Sequence, residues 1–178
     1  VPLISDNSEF SNAFEFSKFK KLSTKSDTIG KVSFFAKTIT SLSDDVRISK
    51  RLNIPTNKLR GFEKGRVGPI DNNDYVGGNH VTTLNLSATL PNILEDLDNL
   101  DIGVFFDAAN IWGVDYNSSL DDKSTIRTST GIAFNLLTPI GPLSFSFANA
   151  LTKASSDKTE TFRFRLGTQF WWGFFLPI

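Results

Sequence analysis

The chain has 178 residues, with 19 Lys plus Arg against 19 Asp plus Glu, 17 Phe, and neither Cys nor Met. A formal net charge of zero leaves no basic field to hold a phosphate backbone, so nucleic acid is not an expected partner. Without Cys there is no disulfide framework or thiolate metal site, and no run reaches the roughly 18 apolar residues of a membrane-crossing helix. The chain starts at Val1 and contains no Met, and we read it as a fragment whose true N-terminus lies upstream.

Helical periodicity is weak throughout. The recurrent pattern is alternation over eight to eleven residues, broken by Asp, Asn, Ser, Gly and Pro clusters. It predicts an all-β antiparallel meander with strands near 10–20, 30–38, 45–54, 79–90, 100–109, 126–138, 142–150 and 160–170. Strand side chains alternate, so the faces can be written out. In the fifth strand Ile102, Val104, Phe106 and Ala108 oppose Gly103, Phe105, Asp107 and Ala109. Ile132, Phe134 and Leu136 oppose Arg127, Ser129, Gly131, Ala133 and Asn135 in the sixth, and Leu143, Phe145 and Phe147 oppose Ser144, Ser146 and Ala148 in the seventh. In the last, Phe162, Phe164, Leu166 and Phe170 oppose Arg163, Arg165, Gly167 and Gln169.

One greasy and one polar face suit a transmembrane barrel with a wet lumen. A soluble sandwich would show the same alternation, but several segments run to about the 9–11 residues that cross a bilayer at a tilt, beyond the usual five or six. The third strand fits less well, because Lys50 falls on its apolar face between Ile48 and Leu52. Short and long connections alternate: a tight turn at Pro139-Ile140-Gly141-Pro142, modest ones near 39–44 and 91–99, and long ones at 55–78 and 110–125. Outer-membrane barrels keep short turns in the periplasm and long loops outside, so 55–78 and 110–125 are expected to be external.

The long segment carries Leu59-Arg60-Gly61-Phe62-Glu63-Lys64-Gly65, followed by Val76-Gly77-Gly78-Asn79. Further on come Gly103-Val104-Phe105-Phe106-Asp107, then Ser129-Thr130-Gly131, then Pro139-Ile140-Gly141-Pro142, and finally Phe162 to Phe170. These resemble, in order, the Arg-Gly-Phe/Tyr loop motif, the Gly-Gly-Asn strand start, the Phe-x-Asp strand, the Ser-x-Gly and Pro-x-Gly-Pro hairpin and the closing strand of the BamA superfamily. Each motif is weak alone. Together, over about residues 45–170, they are specific.

The resemblance implies that residues 1–170 are the C-terminal half of a larger outer-membrane barrel of about sixteen strands, even-numbered as such barrels are. It implies that the loop folds back into the lumen, with Leu59, Arg60, Gly61 and Phe62 as the docking motif. A guanidinium in a confined space needs a carboxylate and can stack on a ring, so Arg60 is expected to pair with Asp107 and pack on Phe105. The family's second acidic partner, counted from Asn79, falls on Ser87, so a simpler network is expected here. Phe164, Gly167 and Phe170 would belong to the closing strand at the barrel seam. The apolar stretch 171–178 continues past the family's usual terminal aromatic, here Phe170, and its Trp and Phe residues would suit an interfacial belt.

The function so implied is an outer-membrane protein assembly factor, not an enzyme. Its expected partners are unfolded β-barrel clients, periplasmic assembly lipoproteins and the bilayer. It is expected to need no cofactor and no metal. The alternative is a polypeptide-translocating two-partner secretion transporter of the same superfamily, separable by the number of periplasmic repeats; a plain diffusion porin would lack the loop motif. The one His, His80, has no Ser, Cys or metal-ligand constellation around it and is read as a residue at the start of a strand.

Overall fold

Backbone amides that face lipid have to be satisfied inside the protein, which in a β-protein means continuous strand-to-strand pairing. The computed structural model describes residues 9–23, 27–42, 44–90, 99–120, 125–139 and 141–167. In chain order its strands are β1 (Glu9–Lys21), β2 (Ile29–Ser41), β3 (Ile70–Asp71), β4 (Asp74–Tyr75), β5 (His80–Leu90), β6 (Leu100–Trp112), β7 (Arg127–Thr138), β8 (Gly141–Thr152) and β9 (Phe162–Leu166). Seven of them form one sheet in the order β1-β2-β5-β6-β7-β8-β9, with every neighbouring pair antiparallel. β1 and β9 are its two edges. The all-β meander expected from alternation is present, and no helix among the described residues is long and apolar enough to cross a membrane. β1, β2 and β6 run to 13 residues each, enough for a tilted bilayer crossing.

The faces divide as alternation requires. Gly103, Phe105, Asp107, Ala109 and Ile111 of β6 are buried on the inner side, while Val104 between them is exposed. Phe134, Phe145, Phe147, Phe162 and Phe164 share the outer face of β7, β8 and β9, and their rings meet at centroid distances from 5.0 to 6.5 Å. His80 opens β5 and stacks on Trp112 at 5.4 Å, pairing the first residue of one strand with the last of its neighbour.

One strand assignment is corrected. Residues 45–54 form no strand: they hold a 3-10 turn, Ile48–Lys50, and an isolated bridge from Leu52 to Gly78. The apparent alternation comes from a loop packing on the wall, with Val46, Arg51 and Leu52 buried and Lys50 exposed, so Lys50 lies on no apolar face. The excursion between β2 and β5 therefore spans 42–79, not 55–78, and β2 pairs directly with β5. At the other end, β9 stops at Leu166 and begins at Phe162, two residues later than predicted; Phe170, the segment 168–170 and the tail 171–178 lie outside the described residues.

The excursion fills the space beside the inner face. Val46, Leu52, Leu59, Phe62 and Val67 of the loop form one apolar cluster with Ile39, Val81, Ala109 and Ile111 of the wall. At its start the loop is tied to the β6–β7 connection by Asp115, which accepts from Val46 N–H at 2.7 Å and Asn79 Nδ2 at 3.0 Å and pairs with Arg51. Arg51 in turn lies over the Tyr116 ring. Burial opposes ionisation of Asp115, but the Val46 N–H, the Asn79 amide and the Arg51 guanidinium together outweigh it and hold the carboxyl below its ordinary value.

A lowered folded-state pKa contributes stability that is present above the unfolded carboxylate value, ~3.9, and is lost as pH falls through the folded value. Resistance of residues 42–79 to an acid-active protease is therefore expected to hold from neutrality down to about pH 4 and to decline below it. Asp115→Asn is expected to lower resistance at neutral pH and to flatten that decline. An unchanged acid profile in the variant would remove Asp115 as its source.

Candidate functional site

Alternation puts Asp107 on the inner face of β6, and strand register decides what stands beside it. Asn85 of β5 is directly opposite on one side and Ser129 of β7 on the other, so three polar side chains form a row across the wall. Each holds the loop. Asn85 Nδ2 donates to the Lys58 carbonyl at 2.7 Å and to Asp107 Oδ1 at 2.8 Å. Asp107 takes the Arg60 guanidinium in a fork, Nε to Oδ2 and Nη2 to Oδ1 both at 2.7 Å, and the Arg60 backbone N–H at 3.1 Å. Ser129 Oγ donates to the Arg60 carbonyl at 2.5 Å.

The Asp107 side chain is fully buried and that of Arg60 is 18% exposed. A carboxylate so placed is stable only with its charge matched and its lone pairs filled, and four hydrogen bonds from three donor groups do this. The guanidinium carbon sits 3.4 Å from the Phe105 ring centroid, a stacked cation–π contact. Phe105 faces Gly131 across the β6–β7 pair, where a Cβ would come within 2.7 Å of the ring, so the aromatic platform depends on the missing side chain. Gly61 has φ +85°, and a Cβ there would approach Ala148 and Ser129 to 3.2 and 3.3 Å, which keeps the loop backbone flat on the wall. Leu59 and Phe62 on either side turn into the apolar cluster, at 3% and 2% exposure.

The structure thus brings Leu59, Arg60, Gly61, Phe62, Phe105 and Asp107 to one place. It does not bring Ser87 there: Ser87 stands opposite Phe105, and the residue of β5 that reaches Asp107 is Asn85. Phe164 is on the outer face against Phe145, at a centroid distance of 5.2 Å, and Gly167 follows β9 with its N–H on the Pro142 carbonyl at 2.9 Å.

Two further anchors escaped the sequence reading. Arg127 and Asp157, both without side-chain exposure, pair through Nε at 2.8 Å and Nη2 at 3.2 Å. Asp157 also accepts from Gly68 N–H at 3.2 Å and Ala154 N–H at 2.7 Å, tying the β8–β9 connection to the loop. The second is Arg163 of β9, which donates to the Thr56 carbonyl at 2.7 Å, to the Phe62 carbonyl, and to Glu160 Oε2 through Nε at 2.9 Å. The only available signal was charge on a polar face: an inward Arg at 127 and another at 163 each required an acceptor, but spacing does not name it.

The Omp85 superfamily domain matches residues 1–170. The chain belongs to the Omp85 superfamily. The outer membrane protein assembly factor BamA of Neisseria meningitidis serogroup B is 31% identical over 139 residues, which is 63% of this chain and 17% of that protein. The BamA of Neorickettsia risticii is 27% identical over 117 residues, 64% of this chain and 16% of that protein. The crystal structure of BamA from Haemophilus ducreyi lacking POTRA domains 1-3 superposes with a TM-score of 0.82 at 26% identity, over 92% of this chain and 35% of that one. This Omp85 chain is an integral outer-membrane protein, and the resemblance to the BamA superfamily is borne out. It spans only a small part of the curated relatives it matches.

The Arg60–Asp107 contact makes a direct expectation. Removing one partner of a buried ion pair costs about 3–5 kcal/mol, so Arg60→Ala and Asp107→Asn should each release the loop strongly, and the double variant should cost much less than their sum. Exchanging the charges, Arg60→Asp with Asp107→Arg, should recover part of the loss. The measurement is amide exchange across residues 58–68 in the membrane-embedded full-length protein. Additive effects of the two single changes would mean that the pair is not coupled.

Proposed function

We propose that this chain contributes part of the barrel of an outer-membrane protein assembly factor, which folds and inserts other β-barrel proteins into the outer membrane. The observation that carries this reading is the loop of residues 42–79 seated on the inner wall through Arg60, Asp107 and Phe105. The two BamA relatives are both named as assembly factors, which favours assembly over the secretion of a polypeptide through the pore.

In this reading residues 1–170 belong to the barrel, with 42–79 as the loop inside it. Leu59, Arg60, Gly61 and Phe62 dock the loop, Phe105 and Asp107 receive it, and β9 with Phe164, Gly167 and Phe170 forms one side of the barrel seam. The short β9 is an edge that can take an incoming client strand by β-augmentation. Strand pairing together with transfer of an apolar face into lipid supplies the free energy, so the task asks for no bound nucleotide or metal. The partners are unfolded outer-membrane barrels, periplasmic assembly lipoproteins and lipid. The seated loop keeps the inner wall in one shape while the seam changes its pairing.

The test is Arg60→Ala in the full-length protein, reconstituted and supplied with an unfolded barrel client. Client insertion should fall several-fold while the protein itself remains in the membrane. Insertion at the unaltered rate, with the loop demonstrably released, would overturn the assembly role of the docked loop.

A further inference from the structure

The β8–β9 hairpin is incomplete in an informative way. β8 runs from Gly141 to Thr152, but β9 pairs only with its residues 143–147, and the last bond between them is Ala148 N–H to the Thr161 carbonyl at 2.8 Å. Beyond that point residues 158–160 leave β8 and pair with the loop. Glu160 N–H donates to the Gly61 carbonyl at 3.1 Å, Glu63 N–H to the Lys158 carbonyl at 3.0 Å, and Lys158 N–H to the Arg66 carbonyl at 3.0 Å, with Thr159 and Phe62 bridged between them. Residues 149–152 of β8 have no strand paired on that side among the described residues.

The same backbone groups therefore have two possible partners. Continuing the register from Phe147 opposite Phe162, each residue gained on β8 meets one fewer on β9, which sets Ala150 opposite Thr159. At present Thr159 stands opposite Phe62 instead. Arg163 secures this arrangement. Its guanidinium spans the Thr56 and Phe62 carbonyls of the loop and the Glu160 carboxylate of its own segment, and its side chain is 11% exposed. The far end of the segment is also anchored on the wall, where Asp157 pairs with Arg127 beside the Thr152 end of β8.

We propose that Arg163 is a positioning residue that couples loop docking to the length of the closing strand. With the loop seated, residues 158–160 are held by it and β9 stays short. With the loop released, they join β8 and lengthen the hairpin up to about Ala150. The seated loop thus keeps the outer half of the seam strand off its neighbour, as an alternative-pairing switch. This deepens the proposed function and rests on its docked loop, but it is a claim about pairing that can stand or fall separately.

This chain has no Cys, and in a full-length protein with any Cys elsewhere replaced, Ala150→Cys with Thr159→Cys reports the lengthened hairpin. In the full-length protein in phospholipid vesicles, oxidation of this pair is expected to be slow. Adding Arg60→Ala or Arg163→Ala should raise the cross-linking yield several-fold, and Arg163→Ala should increase amide exchange in residues 59–66 and 158–161 together. Arg163→Lys, which keeps the charge but cannot span three acceptors, should fall between. Should Arg163→Ala not fold, Glu160→Ala removes one of those acceptors and should shift the cross-link in the same direction. Equal cross-linking in all backgrounds, or a change in exchange confined to β9, would overturn the coupling. If the cross-link responds as described while client insertion does not change, the switch stands and the assembly role of the loop falls. Impaired insertion with an unresponsive cross-link has the opposite meaning.

Discussion

A carboxylate with no solvent exposure, on the inner face of a sheet whose other face carries Phe, Leu and Ile, is the constraint around which this structure is arranged. The Asp107 carboxylate has to meet a cation and hydrogen-bond donors, or the wall carries an uncompensated buried charge. The matching cation comes from the loop between β2 and β5, and bringing it in draws the rest of the loop with it. Leu59 and Phe62, on either side of the Arg60-Gly61 step, then meet Val81, Ala109 and Ile111, so one ion pair and one apolar cluster are formed by the same folding event.

The wall answers with a row of side chains, not a single residue. Asn85, Asp107 and Ser129 are register partners on three adjacent strands, and each bonds the loop backbone or side chain between Lys58 and Arg60. A fork of two parallel bonds fixes orientation as well as charge, which a lysine at position 60 could not do. Phe105 adds a flat surface under the guanidinium, and Gly131 leaves room for that ring. Specific geometry at the anchor means that the loop has one seated position, and a loop with one seated position can serve as a reference against which strands move.

The strand that closes the sheet is bound to that reference. Arg163 and the backbone of residues 158–160 hold the loop, while Phe162, Phe164 and Leu166 remain on the lipid side with Phe145 and Phe147. The closing segment is thus divided between a membrane-facing hairpin, β9, and an interior ladder at residues 158–160. An edge strand with few partners is a liability in most proteins. In the proposed assembly role, the same exposed edge is the surface on which an incoming strand would pair.

Much of this was legible along the chain. The two-residue period places Phe105 and Asp107 on one face and Phe134, Phe145 and Phe164 on the other, because side-chain direction in a strand depends on local geometry alone. The same local rule failed at 45–54, where Val46, Arg51 and Leu52 are buried by a loop lying against a wall and not by strand alternation. What periodicity could not contain is which distant groups meet. Arg60 and Asp107 are 47 residues apart, Arg127 and Asp157 30, and Phe62 and Arg163 101. Ion pairs and shared backbone ladders over such separations depend on register and on the path of the loop, which are settled only when all the strands are in place together. The sequence by itself determined the two faces of the sheet; the tertiary structure decided which inward charge answers which, and which strand the last segment joins.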